Sequence, residues 1–228
     1  MAERVADDVW LLDLGLVFPL GSNGYLVDDG EVTLIDPGLP VNRPSLASEL
    51  ADAGYDLAEV DRTLVTHFDL SHVGGLRYLS SDTGPVYLSP DALALARGEF
   101  RRRHRHHKAL YHRLVRRLFG LPAGLTYETV GDGETVGRFT AYHTPGHNPG
   151  HSVYVHDSGV AFLGDLVWER AGEVTPPFWL DSYDMRSVTE SIRSFADRVD
   201  PFAVAAMAHG EPIRAGGYDA LRECAREL

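Results

Sequence analysis

Thr66-His67-Phe68-Asp69-Leu70-Ser71-His72-Val73-Gly74-Gly75 crowds two imidazoles, a carboxylate and a hydroxyl into one short turn. The turn follows Thr63-Leu64-Val65, an apolar run that reads as a buried strand. It precedes Leu76-Arg77-Tyr78-Leu79, which can continue as a helix. Taken singly, Asp69 and Ser71 are ordinary helix N-cap residues, and a lone histidine in a loop needs only a hydrogen-bond partner. Taken together, imidazole and carboxylate are the usual ligands of zinc, iron and manganese.

Three more segments carry the same chemistry. They are Thr144-Pro145-Gly146-His147-Asn148-Pro149-Gly150-His151, then Phe162-Leu163-Gly164-Asp165, then Ala208-His209-Gly210. Each comes after an apolar or β-branched run. Strands that deliver His or Asp at one end predict a single sheet edge where ligands converge.

The order and spacing of these residues resemble the metallo-β-lactamase fold superfamily, in particular its glyoxalase II-like hydrolases. The hallmark of that family is His-x-His-x-Asp-His, then a His, a bridging Asp and a final His. His67, His72, His147, Asp165 and His209 match by position, whereas Asp69 stands where a His is expected and Ser71 where an Asp is expected. The resemblance implies an α+β fold, a four-layer αββα sandwich; periodicity alone gives only mixed helices and strands. It also implies a ligand set. His67, Asp69 and His147 would hold a first ion, Asp165 would bridge, and His72 and His209 would hold a second. The expected cofactor is zinc, as one or two ions, with iron or manganese as further options.

A divalent ion lowers the pKa of bound water from about 15.7 to roughly 7. The expected function is therefore hydrolysis of an ester, thioester, lactone or phosphodiester by metal-bound hydroxide, with a small-molecule substrate. Ser71 is a weaker ligand than Asp, and Asp69 adds charge and hardness. Two histidines with a carboxylate resemble the facial triad of non-haem iron oxygenases, so a persulfide dioxygenase-like activity is one alternative. A degenerate, non-catalytic member is the other. Only 19 residues follow His209, too few for the glutathione-binding domain of a true glyoxalase II.

Composition sets outer bounds. With 228 residues and 44% apolar content, one core over residues 1–228 is expected, with a basic helical insert at about 91–125. No apolar run is long enough to span a membrane, and the N-terminus lacks the pattern of a signal peptide. One cysteine, Cys224, makes an internal disulfide impossible. These features predict a cytoplasmic protein without a membrane partner. A net charge of −12 argues against nucleic acid. Lys108 is the only lysine beside twenty arginines, a bias that fits either high salt or a GC-rich genome. Oligomeric state is not legible.

Along the chain, Val9–Leu12 reads as a strand, and Gly24–Val27 with Val32–Ile35 as a hairpin turning at Asp28-Asp29-Gly30. Asp36, in the turn that follows, reads either as a plain turn residue or as a residue supporting the site. Asn42 is a candidate N-cap for a helix ending at Gly54. Arg101–Lys108 is a basic run, after which Leu110, Leu114, Val115 and Leu118 mark one apolar helical face. That segment reads as a solvated helix, a lid attracting anionic substrate, or a nucleic-acid patch. His104, His106 and His107 match no ligand spacing. From Tyr127 two hairpins are expected, the first turning at Gly131-Asp132-Gly133 and the second at Asp157-Ser158-Gly159. Residues 184–199 and 218–228 read as helices, with 202–207 as the last inner strand. His143 and His151 read as supporting residues, and Trp179 and Tyr183 as loop aromatics or pocket lining.

Overall fold

The computed structural model describes residues 1–15, 22–100 and 106–228. Strands β1 (Glu3–Ala6), β2 (Val9–Asp13), β3 (Asn23–Asp28) and β4 (Val32–Ile35) form an antiparallel meander. Helix α1 (Leu46–Ala53) crosses over to β5 (Arg62–Leu64), which pairs parallel with β4. The 66–75 stretch follows, with one turn of helix, α2 (Leu70–Val73), running into a tighter turn at Gly74–Tyr78. Strand β6 (Val86–Leu88), helices α3 (Pro90–Arg97) and α4 (His107–Phe119), and strand β7 (Tyr127–Thr129) complete a seven-stranded sheet in sequence order.

A second, five-stranded sheet follows. It contains β8 (Thr135–Val136), β9 (Phe139–His143), β10 (Ser152–His156) and β11 (Val160–Gly164). A small ribbon of β12 (Trp168–Arg170) and β13 (Glu173–Thr175) precedes helix α5 (Met185–Arg198). Strand β14 (Val204–Met207) then pairs parallel with β11, and helix α6 (Gly217–Glu227) closes the order.

Side-chain alternation along the strands builds the layers, because successive residues face opposite sides of a sheet. Tyr25, Val27, Ile35 and Leu64 pack against Phe139, Tyr154, Phe162 and Ala206 between the two sheets. Leu26 and Leu34 point the other way, toward Leu46 and Leu50 of α1. On the far side, Val153, Leu163 and Met207 meet Ile192 and Phe195 of α5 and Leu221 of α6. Three apolar layers separating helices, sheet, sheet and helices make the αββα sandwich. Strands buried on both faces explain why β3, β11 and β14 read as near-continuous apolar runs.

Several local expectations change. The cap of α1 is Ser45, whose hydroxyl accepts from Ser48 N at 3.2 Å; Asn42 instead accepts from Leu39 N at 2.8 Å. The first predicted hairpin does not form. Its two arms, β7 and β8, belong to different sheets, so the Gly131–Gly133 turn carries the chain from one sheet to the other. The hairpin that does form joins β8 to β9.

Helix α4 is turned over relative to its apolar stripe. Leu110, Leu114 and Leu118 are 67%, 56% and 61% exposed, whereas Lys108, His112 and Val115 are buried. The basic run at 101–105, including His104, lies outside the described residues. No described helix is long and apolar enough to cross a membrane.

Candidate metal centre

The predicted residues stand just beyond the carboxyl ends of strands. Asp36 follows β4, His67 follows β5, Asp165 follows β11 and His209 follows β14, while His147 sits in the loop between β9 and β10. Close backbone approach holds the ligand turn in place. Gly75 N donates to Gly38 O at 2.9 Å, and a Cβ on Gly75 would lie 2.0 Å from Pro37 O. Asp165 is reached through Gly164, whose φ of +51° favours glycine.

Asp36 organises the two histidines of this turn. One carboxylate oxygen accepts from Thr66 N at 2.8 Å. The other accepts from the Thr66 hydroxyl at 2.7 Å and from His72 Nδ1 at 2.8 Å. A carboxylate only accepts, so His72 carries its proton on Nδ1 in the neutral form. Thr66 has spent its one O–H on Asp36, so at 3.0 Å its oxygen accepts from His67 Nδ1. Both rings are thereby set to the same tautomer, with the Nε2 lone pair aimed away from Asp36.

Those two Nε2 atoms are buried and have no hydrogen-bond partner among the described residues. They face Asp165 Oδ2, His67 at 3.4 Å and His72 at 3.3 Å. A positive charge is required at this point: a second proton on His72 supplies it in the metal-free protein, and a metal cation would supply it in place of that proton. The donor atoms of His67, His72 and Asp165 all lie within 4.8 Å of one another, and this donor set fits a divalent ion.

The electrostatics agree. Burial, helped by His72, holds His67 well below its usual pKa, so it stays neutral. Burial pushes His72 down as well, but Asp36 and Asp165 outweigh it and raise that group to about 10. The carboxylates that stabilise a proton on His72 would equally stabilise a metal cation. Burial opposes the charge on Asp165, yet His209, His147 and His72 hold its carboxyl well below the usual range.

Asp165 is also fixed from outside. Trp168 Nε1 donates to Oδ1 at 2.7 Å. Asp165 N donates to His151 Nε2 at 3.0 Å, and the opposite nitrogen of that ring meets the Thr144 hydroxyl at 2.7 Å. Burial lowers His151 to about 3, so it supports Asp165 as a neutral acceptor. His209, about a quarter exposed, reaches Asp165 Oδ1 at 3.4 Å and packs edge-on against Trp168.

The Asp69 side is built differently. Asp69 occupies the N-cap position of α2, but its side chain makes no cap bond. Its Oδ1 accepts from His112 Nε2 at 2.5 Å and from Asn148 Nδ2 at 3.1 Å. Its Oδ2 lies 2.8 Å from Lys108 Nζ. Lys108 also donates to His147 Nε2 at 2.8 Å and to Asp181 O at 2.6 Å. Burial works against the charge on Asp69, but Lys108, His67 and His112 keep its carboxyl well below the usual range.

The six predicted site residues are thus drawn together, five of them deeply buried. Ser71 lies half-buried on α2, a hydroxyl where the family pattern has a carboxylate. His143 sits apart, its Nε2 donating to Val130 O at 3.1 Å. His106 caps α4 and stacks on Tyr183, and His107 bonds to Leu180 O. Tyr183 donates to His112 Nδ1 at 2.7 Å, and Trp179 is 61% exposed. Sequence reasoning missed Lys108 and His112 as parts of the site. The one available signal was a lone lysine with a histidine four residues on, which places both on one helical face.

Comparison with known proteins bears on the family and the fold. The family model described as the metallo-beta-lactamase superfamily matches residues 17–206. A Bacillus subtilis protein named "Probable metallo-hydrolase YybB" is 25% identical over 225 residues, covering 93% of this chain and 90% of that protein. Among solved structures, the metallo-beta-lactamase family protein TTHA1429 from Thermus thermophilus superposes with a TM-score of 0.75. It shares 24% identity and covers 99% of this chain and 79% of that one. TTHA1623, solved in a di-iron-bound form, gives 0.63 at 26% identity, covering 91% and 96%.

Proposed function

Since the chain belongs to the metallo-β-lactamase superfamily, we propose that it is a metal-dependent hydrolase of a small ester, thioester, lactone or phosphodiester. The observation that carries this reading is the pair of partnerless Nε2 atoms on His67 and His72, converging on Asp165 Oδ2. His67, His72 and Asp165 would hold the ion, zinc by preference of the imidazole-rich set, with His209 at the open side. When bound, such an ion acidifies water to near neutrality and polarises a carbonyl or phosphoryl oxygen.

The chain's own groups prepare that chemistry. Asp36 and Thr66 keep the ligand lone pairs pointing inward. Trp168 and His151 fix the Asp165 carboxylate from two directions. A cavity of about 300 Å³, lined by His107, Lys108, Tyr111, Phe178, Leu180 and Asp181, opens beside the site. Its aromatic and aliphatic walls suit the apolar part of a substrate.

The test is a panel of ester, thioester, lactone and phosphodiester substrates with the zinc- and manganese-loaded protein. Turnover that is lost on chelation and in Asp165→Asn is the expected result. A metal-loaded protein inert to every class overturns the hydrolase reading. The His67–His72–Asp165 set also has the composition of a two-histidine, one-carboxylate iron centre. Oxygen uptake by the iron-loaded protein with glutathione persulfide would favour an oxygenase instead.

A further inference from the structure

We propose that the Lys108 ammonium replaces one of the two metal ions of this fold, so that the centre loads a single ion. The inference rests on the metal-centre reading above and departs from the two-ion assignment that the family resemblance implies.

Lone pairs distinguish the two halves of the constellation. A first ion at Asp69, His67 and His147 would need the Asp69 oxygens and His147 Nε2. Lys108 Nζ lies 2.8 Å from Asp69 Oδ2 and 2.8 Å from His147 Nε2. An ammonium can only donate, so the single lone pair of His147 Nε2 is spent on it, together with one of the two on Asp69 Oδ2. Asp69 Oδ1 is spent on His112 and Asn148. The third N–H of Lys108 goes to Asp181 O at 2.6 Å. Three protons meet three acceptors, so the ammonium is fully satisfied and has none left for substrate. By contrast, His67 Nε2 and His72 Nε2 have no hydrogen-bond partner among the described residues. The donor atoms of His67, Asp69 and His147 lie as close together as those of His67, His72 and Asp165, so what separates the two sets is the protein cation seated on the first.

Charge leads to the same division. Asp69 is buried and needs a compensating positive charge, and Lys108, only 2% exposed, supplies it. Lys108 reaches this place because α4 presents its polar edge inward, which leaves Leu110, Leu114 and Leu118 exposed. The only lysine of an acidic, arginine-rich chain is therefore buried against Asp69 and His147. The one exception to the arginine bias of the sequence thus lies inside the site. Arginine would not serve here, because its planar fork cannot take the compact three-donor geometry of an ammonium.

The experiment measures metal per chain by elemental analysis after loading with excess zinc, in the parent and in Lys108→Met, with thermal melting as a check of folding. The expected result is one equivalent in the parent and a rise toward two in Lys108→Met. Two equivalents in the parent overturn the inference about Lys108 while leaving a metal centre standing. A folded Lys108→Met that stays at one equivalent also overturns it. No ion in either protein overturns the metal-centre reading and this inference with it. A second measurement needs no variant. Lys108 is the only lysine amine, so acylation followed by peptide mass analysis reports its burial directly. Protection of Lys108 in the zinc-loaded parent is expected; acylation at the rate of an exposed amine, showing that the ion has displaced it, overturns the proposal.

Discussion

Replacing Asp36 by Asn keeps the shape of the side chain and inverts the hydrogen-bond logic of the centre. Asp36 has a φ of +50°, a conformation Asn tolerates, so the change adds little backbone strain. The Asn oxygen must stay on Thr66 N, because that group donates at 2.8 Å. The amide nitrogen then replaces the oxygen that accepts from Thr66 Oγ1 and His72 Nδ1. It is a donor, so His72 must give up its Nδ1 proton and carry one on Nε2. Thr66, released from Asp36, turns its hydroxyl to His67 Nδ1 and shifts that ring the same way. Both ligand lone pairs are lost through a residue that touches no ion. Removing one supporting partner costs about 10- to 100-fold in metal affinity. Two ligands move here, so the loss should lie near about 100-fold, or about 2.7 kcal/mol. Competition for zinc against a chromophoric chelator measures it, with the melting curve confirming that the variant folds. An affinity within about threefold of the parent would refute the tautomer argument, since it falls below the loss expected for a single supporting partner.

Other consequences are independent of that network. Below its raised pKa of about 10, His72 carries a proton that an entering ion must expel. Zinc affinity should therefore rise with pH between about 6 and 8, by about tenfold per unit from this group alone, with proton release detectable by calorimetry in buffers of different ionisation enthalpy. In the metal-free protein the sign is opposite. His72 lends stability below its unfolded pKa of about 6.5, and that contribution fades as pH climbs toward about 10. Gly75→Ala would press a Cβ to 2.0 Å from Pro37 O, a backbone atom that no rotamer can move away. A loss of about 3 kcal/mol in denaturant unfolding is expected, together with weakened metal binding. Leu114→Gln, on the exposed face of α4, should leave stability within about 0.5 kcal/mol of the parent, whereas a buried leucine would cost far more.

How much of this was legible in the sequence depends on where each signal resides. The αββα layers were readable through resemblance, because strands buried on both faces leave runs such as Val160–Leu163 that period-2 patterning alone does not order. The residues delivered at strand ends were readable as a set, since local sequence fixes where His67 and Asp165 emerge. Asp36 was half readable, as a turn residue with a second use. Lys108 and His112 were not, because they enter from a helix some 40 residues away along the chain. Hydrophobic periodicity pointed that helix the wrong way. Burial of Lys108 and His112 is favoured by the partners they find on Asp69 and Asp181, and no pattern within residues 107–119 reveals those partners. The crossing between β7 and β8 was missed for a similar reason, since one glycine-rich turn serves a hairpin and a change of sheet equally well.

The placement of β5 in one sheet and of β9, β11 and β14 in the other has a mechanical meaning. His67 and His72 come from the first half of the chain, and His147, Asp165 and His209 come from the second. Neither half carries the whole of the proposed ligand set. An ion held among these residues is a rivet through the seam of the sandwich, and its removal withdraws a clamp as well as a reagent. Ångström-scale sliding of one sheet over the other would separate ligands while leaving every strand pairing intact, so loss of the ion can disable the centre long before the chain unfolds.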